Sequence, residues 1–353
     1  MNLIFDKISH SYDKKLPFVV YRKPNANDVS GFFMKDDSIS YATKFTESGF
    51  IFAPFNIEEK AILFQADKAD YITEKLNSIS ELALKNDFYS DESSKEKHIK
   101  IVEKAIDLIS ENELQKVVIS RKELVEIASF DVLEIYLKLL QTYANAFVYV
   151  WFHPKVGLWF GATPETLLQI ESTAFKTMSL AGTQVANETE NIVWKSKELE
   201  EQQLVTDFIK NQLNGIATDL KIDKTETIKA GNLLHLRTKV IGVLNKNANL
   251  KTLIRALHPT PAVCGLPREI ATGFINKNES YNREFYTGFL GELNIKNSNT
   301  KSINSNLFVN LRCMKIEGNV ASIYVGGGIT KDSIAKKEWE ETVSKSKTMK
   351  RVL

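Results

Sequence analysis

The chain has 353 residues, 43 % hydrophobic and 25 % charged, with 46 basic and 44 acidic side chains for a net charge of +2. That balance gives no reason to expect nucleic acid or an anionic membrane as partner, so any anion site must be local. The two cysteines, Cys264 and Cys313, lie far apart and form no metal-type pair, which points to a reduced, cytoplasmic setting.

The chain opens Met1-Asn-Leu-Ile-Phe-Asp6, without the basic and apolar runs of a secretion signal, and no apolar stretch nears the ~20 residues that cross a bilayer. The length allows two domains or one large one. Strand-like pieces are predicted near 30–34 and 61–64, and a polar stretch over 85–98 reads as a loop leading into a helix. Apolar spacing predicts helices over 99–109, 130–143 and 196–213, and a closing helix from Ile334. Strands are predicted over 116–120, 146–152, 157–161, 175–181, 234–244, 284–293, 305–314 and 321–325. Hairpin-like links between strands, with helices interspersed, predict an α+β fold rather than a doubly wound parallel sheet.

Several residues suggest chemistry. Glu198 and Glu201 are three apart on one predicted helix face, as are Glu338 and Glu341 on another. Such oxygen-rich pairs suit Mg²⁺, though either pair alone reads equally as a solvated helix face. Arg312 falls inside an apolar predicted strand, where a buried guanidinium needs a carboxylate, either from the protein or from a ligand. Gly326-Gly-Gly328 reads as a bulge or tight turn, or as a place where backbone approaches an anion closely. Lys116 opens a strand; stripped of water beside a cation, it can give up its proton and act as a general base. Glu165 follows the turn Gly161-Ala-Thr-Pro164, and in a pocket it would hold its proton and serve as an acid. The histidines have no zinc-like spacing, and no Gly-x-Ser-x-Gly elbow is present.

Taken together, the segments Lys116-Val-Val-Ile-Ser-Arg121, Phe160-Gly-Ala-Thr-Pro-Glu165, Ser179-Leu-Ala-Gly-Thr183 and His258-Pro-Thr-Pro-Ala-Val-Cys-Gly265 resemble motifs of the isochorismate synthases, a branch of the chorismate-utilising enzymes. So do Arg283-Glu-Phe-Tyr-Thr-Gly288, Leu311-Arg-Cys313, Gly326-Gly-Gly328 and Glu338-Trp-Glu-Glu341. The resemblance runs from Lys116 to Lys345, about two thirds of the chain. It implies a single domain of two stacked large antiparallel sheets with outer helices, in which 1–97 is a variable N-terminal part and 98–353 carries the motifs. It also implies Mg²⁺ and the conversion of chorismate to isochorismate. Lys116 then matches the base that activates water for attack at C2, and Glu165 the acid that protonates the departing C4 hydroxyl. Glu201 and Glu341 match the principal metal ligands, with Glu198 and Glu338 nearby. Arg312, Tyr286, Lys345, Gly326, Gly327 and Gly328 match groups around the substrate, joined by Ala181, Gly182, Thr183, Thr260 and the ring-side His258.

Ala181 and Lys116 separate the chain from the aminodeoxychorismate and anthranilate synthase branches respectively. Gln202 departs from the pattern, because synthases commonly carry His after the first metal-binding Glu. The alternatives are a salicylate synthase that goes on to eliminate pyruvate, and a binding protein for aromatic acids without the chemistry. The product's destination, menaquinone or a catechol siderophore, stays open, and the expected assembly is a monomer or weak homodimer.

Overall fold

The computed structural model of the chain describes residues 3–77, 79–85, 88, 92–185, 192–230, 233–297 and 300–353. The N-terminal part holds α1 (Leu3–Asp13), β1 (Phe18–Arg22), β2 (Asp28–Met34), β3 (Ser40–Ala42), β4 (Gly49–Ala53), β5 (Ala61–Gln65) and β6 (Ala69–Lys75). Then come α2 (Lys95–Ser110), β7 (Lys116–Glu126), α3 (Val132–Thr142), β8 (Phe147–His153), β9 (Gly157–Thr163), β10 (Thr166–Glu171), β11 (Ala174–Val185) and α4 (Ser196–Leu213). The next elements are β12 (Ala217–Ile222), β13 (Glu226–Ala230), β14 (Leu233–Leu244), α5 (Leu250–Leu257), β15 (Gly265–Leu266) and α6 (Arg268–Asn278). The chain finishes with β16 (Phe289–Lys296), β17 (Ile303–Val309), β18 (Cys313–Glu317), β19 (Val320–Ile329) and α7 (Ala335–Lys350).

Among the described residues the strands form two antiparallel sheets. One has nine strands in the order β15-β7-β19-β18-β9-β8-β1-β2-β6. The other has ten, in the order β12-β14-β11-β10-β17-β16-β4-β5-β3, with β13 also paired to β14. Aromatic and branched side chains fill these strands because they pack well on a pleated surface. A mostly aromatic layer drawn from both sheets joins them, including Tyr21, Phe52, Trp151, Trp159, Phe285 and Phe308. Phe147 of one sheet stacks on Phe308 of the other with ring centroids 4.2 Å apart, and Phe52 stacks on Phe285 at 4.1 Å. The outer faces bury their apolar side chains under helices. α1 and α3 cover the nine-stranded sheet, and α4 and α5 cover the ten-stranded one. α2 and α6 pack over β7. Asp131 caps α3, accepting from the N–H groups of Leu133 and Glu134 at 2.8 Å each, so the helix begins two residues later than the periodicity predicted.

α4 matches its predicted span, and α7 begins one residue past Ile334. Of the predicted loop at 85–98, residues 86, 87 and 89–91 lie outside the described residues, and α2 opens at Lys95. Three expectations need correction. The strand predicted over 284–293 begins only at Phe289, because Glu284 and Thr287 adopt positive φ and turn the chain first. The strand predicted over 305–314 is two strands in different sheets, broken at Asn310–Arg312. Gly326–Gly328 form neither turn nor bulge, but continue β19 in register with Ser120, Ile119 and Val118 of β7.

Candidate active site

The site lies where the chain twice changes sheets. β9 belongs to the nine-stranded sheet and β10 to the ten-stranded one, and only Pro164 and Glu165 separate them. β17 and β18 make the opposite change through Asn310, Leu311 and Arg312. The two crossings run side by side, since β9 pairs with β18 and β10 with β17. They are bonded to each other: Val309 N–H donates to Glu165 O and Ala162 N–H to Arg312 O, each at 3.0 Å. Asn310 anchors the seam. Its Oδ1 accepts from the Tyr149 hydroxyl at 2.6 Å, and its Nδ2 donates to Phe285 O at 2.9 Å. Arg312 pays for its place with a φ of +47, a conformation that costs a residue bearing Cβ about 1–2 kcal/mol. That corrects its predicted place within a strand.

The acid and the guanidinium therefore stand on one wall. Glu165 is only 3 % exposed, and burial pushes its carboxyl up to about 8 against the opposing pull of Lys116 and Arg312. The neutral acid is thus its resting form at pH 7. Arg312 Nη2 lies 3.5 Å from Nε2 of buried His235, whose Nδ1 is 3.0 Å from Gly182 O. Burial, reinforced by Arg312 and Lys345, pulls His235 down to about 3, so it is neutral. A ring whose Nδ1–H donates to Gly182 O presents Nε2 as an acceptor to Arg312. Gly182 sits at a register shift in β11 with φ +69, a conformation suited to glycine.

The opposite wall is β19 with α4 and α7. Here three lysines meet three glutamates. Lys116 is fully buried, and its Nζ lies 2.8 Å from Glu201 Oε1, at an angle that makes no hydrogen bond. Lys197 lies 2.5 Å from Glu338 Oε1, and Lys345 2.6 Å from Glu341 Oε1. Lys345 also donates to Gly326 O at 2.9 Å. The bare strand makes room for these pairs. A Cβ on Gly328 would stand 2.4 Å from Glu201 Oε1, and one on Gly327 would stand 3.6 Å from both Glu338 Oε2 and Glu341 Oε1. Burial and the neighbouring Glu341 raise the Glu338 carboxyl, while Lys197 opposes.

Most of the predicted residues share this pocket. Glu165, Ala181, Gly182, Thr183, Glu201, Tyr286, Arg312, Gly326, Gly327, Gly328, Glu341 and Lys345 line it. Others stand apart. The Glu198 carboxylate accepts from the Lys195 N–H at 3.0 Å and caps the start of α4. His258 and Thr260 are buried outside the lining, with the His258 ring edge-on to Phe289 at 5.0 Å. Gln202 turns away into the fold, its Nε2 donating to Ser179 Oγ at 2.8 Å and Thr238 Oγ1 at 3.0 Å. Sequence reasoning passed over His235 and Lys197. His235 lies in a continuous apolar run, Leu233-Leu-His-Leu236, and a polar residue buried in such a strand is a usable signal.

A family model described as chorismate binding enzyme matches residues 54–353. The chain belongs to that family. Two Escherichia coli K12 relatives named isochorismate synthase are each 30 % identical to it. MenF matches over 263 residues (72 % of this chain, 59 % of MenF), and EntC over 261 residues (70 % of this chain, 65 % of EntC). The chain thus matches less than two thirds of the length of either. Among solved structures, DhbC from Bacillus anthracis superposes with a TM-score of 0.81 at 22 % identity, covering 99 % of both chains. Such a likeness carries the family's fold, two large antiparallel sheets with helices outside.

No three His, Cys, Asp or Glu side chains among the described residues are gathered tightly enough to hold an ion as they stand. The carboxylates of Glu201, Glu338 and Glu341 are turned to lysines instead. All three nonetheless converge on the space left by Gly327 and Gly328, and a donor set of carboxylate oxygens fits a hard divalent cation. No helix of the described residues is long and apolar enough to cross a membrane.

Proposed function

We propose that the protein is an isochorismate synthase, which adds water at C2 of chorismate and expels the C4 hydroxyl. The observation that carries this reading is an acid in the pocket wall held protonated by burial, Glu165, with a fully buried lysine, Lys116, near enough to pull on its charge and set against the lining residue Glu201. Net transfer of a hydroxyl needs one group to take a proton from the incoming water and another to give one to the leaving oxygen. Lys116 Nζ, in its neutral amine form, is the proton acceptor, and Glu165, in its protonated form, the donor. Two positioned groups of this kind typically contribute ~10²–10⁴-fold each. Arg312, held by His235, supplies a fork for a carboxylate, and Lys345 a second positive charge. Glu201 and Glu341, with Glu338 beside them, are the residues that would hold Mg²⁺. When bound, the ion supplies positive charge against a substrate carboxylate. The names of the relatives and the match to the family support the same reading.

The deciding experiment incubates purified protein with chorismate and Mg²⁺ and separates the products by chromatography. Isochorismate in a reversible mixture with chorismate is expected from either direction. Salicylate with stoichiometric pyruvate, or no turnover at all, would reject the proposal.

A further inference from the structure

A second cavity, of about 500 Å³, opens on the far side of the sheet crossings. Pro164 and Arg312 line both it and the substrate pocket, so the two share a wall. Its other charged lining residues are Lys229 of β13, Arg237 of β14, and Lys347 and Arg351 at the end of α7. Among the described residues the lining contains no carboxylate. Arg237 is answered from outside by Glu226, with Nη2 to Oε1 at 2.8 Å. Lys229, Lys347 and Arg351 have no ion-pair partner among the described residues, and Arg351 Nε is a buried donor with no acceptor. Tyr143 lines this cavity, near Arg312 of the shared wall. Its hydroxyl donates to Thr348 O at 2.8 Å, close enough to feel both Arg351 and Arg312.

A chain with nearly as many acids as bases has collected unanswered cations around one hollow. They repel one another, and an arriving anion relieves that repulsion. We infer that this hollow is an anion antechamber: it gathers a dicarboxylate from solution and delivers it to Arg312 on the shared wall. The identity of that dicarboxylate as substrate or product rests on the isochorismate synthase reading; the anion affinity of the chamber does not.

The test compares wild-type protein with the double variant Lys229→Gln/Lys347→Gln and the triple variant that adds Arg351→Gln. Initial rates with chorismate and Mg²⁺ are measured from about 20 to about 200 mM KCl, a range over which the screening length shrinks by more than half. Steering by a charged cleft changes association by ~10-fold or more and fades with salt. The expected result is kcat/KM about tenfold lower in the triple variant at low salt, a shallower salt dependence, and kcat within about twofold. Equal kcat/KM and equal salt slopes would overturn the antechamber, as would a loss confined to kcat. The double variant, with a smaller shift in the same direction, decides the matter if the triple variant melts early. Crystals soaked in iodide give a readout that needs no turnover. Anomalous peaks beside Lys347 and Arg351, absent from the triple variant, are expected; iodide confined to the outer surface counts against the site. A wild-type protein inert towards chorismate would remove the functional reading alone, leaving the iodide result to judge the chamber.

Discussion

Glu165 shows how far a single residue's surroundings set its role. A carboxyl at its ordinary value would be ionised at pH 7 and useless as an acid. Burial moves its midpoint to about 8, so it carries a proton below that pH and loses it above. The expected consequence is a fall in kcat/KM as pH climbs through about 8, read from a pH–rate profile; a profile flat to pH 10 would remove Glu165 as the acid. Glu165→Gln, which keeps the shape and removes the proton, should cut kcat by ~10²–10⁴-fold with little loss of melting temperature. Arg312→Ala should act mainly on KM, because its partner is a neutral histidine rather than a buried carboxylate left without a counter-ion. The sequence pointed to Lys116, Glu165 and Arg312 as residue types in suggestive places. It could not show that Lys116 is fully buried, because a lysine that opens a strand is ordinarily solvated and only long-range packing, with β15 and β19 alongside and Glu201 of α4 against its Nζ, removes the water.

Among the elements, β19 is the one whose sequence and structure diverge most usefully. Three consecutive glycines weaken a strand, yet these three stay in register because β7 supplies every partner. The local signal favoured a turn, and long-range pairing overrode it. What the glycines contribute is clearance, and unequally. Gly328→Ala would place a methyl 2.4 Å from Glu201 Oε1 and 3.0 Å from Lys116 Cε. Displacing that pair by an ångström should cost on the order of 10²-fold in activity while circular dichroism stays native. Gly327→Ala meets nothing closer than 3.6 Å and should stay near wild type. Equal effects from both would mean that the strand's flexibility, rather than its clearance, matters. α4 was legible to the residue, because its amphipathic periodicity is local, and the start of α7 to within one residue. The break at Asn310–Arg312 was not, because 305–314 contains no Gly or Pro and nothing local marks where a strand passes from one sheet to another.

At the scale of the molecule, the N-terminal part is woven into both sheets. β1, β2 and β6 extend one, while β3, β4 and β5 extend the other. Removing residues 1–97 would bare the edges of β8 and β16 and strip part of the aromatic layer, including Tyr21, Phe50 and Phe52. Such a truncation should give insoluble protein or one with no cooperative melt; a soluble, active 98–353 fragment would show that the aromatic layer is dispensable. Chelation should silence the intact protein and added Mg²⁺ restore it, with lost turnover the readout and full activity in excess chelator the contrary result. The sequence pattern led to the α+β class and the family resemblance to two stacked sheets, but neither gave a sign that the weakly patterned first part would be shared between them. The paired crossings carry one more consequence, for how such a chain can change over generations. The links that hold Glu165 and Arg312 are two and three residues long and tied to each other by backbone bonds, so they have no slack. An insertion of one residue in either would turn the side chain away from its neighbour and slide two sheets past each other at once. Lengthening and recombination are therefore confined to the hairpin ends remote from the seam, where the chain can acquire new segments while the spacing of acid and guanidinium is inherited unchanged.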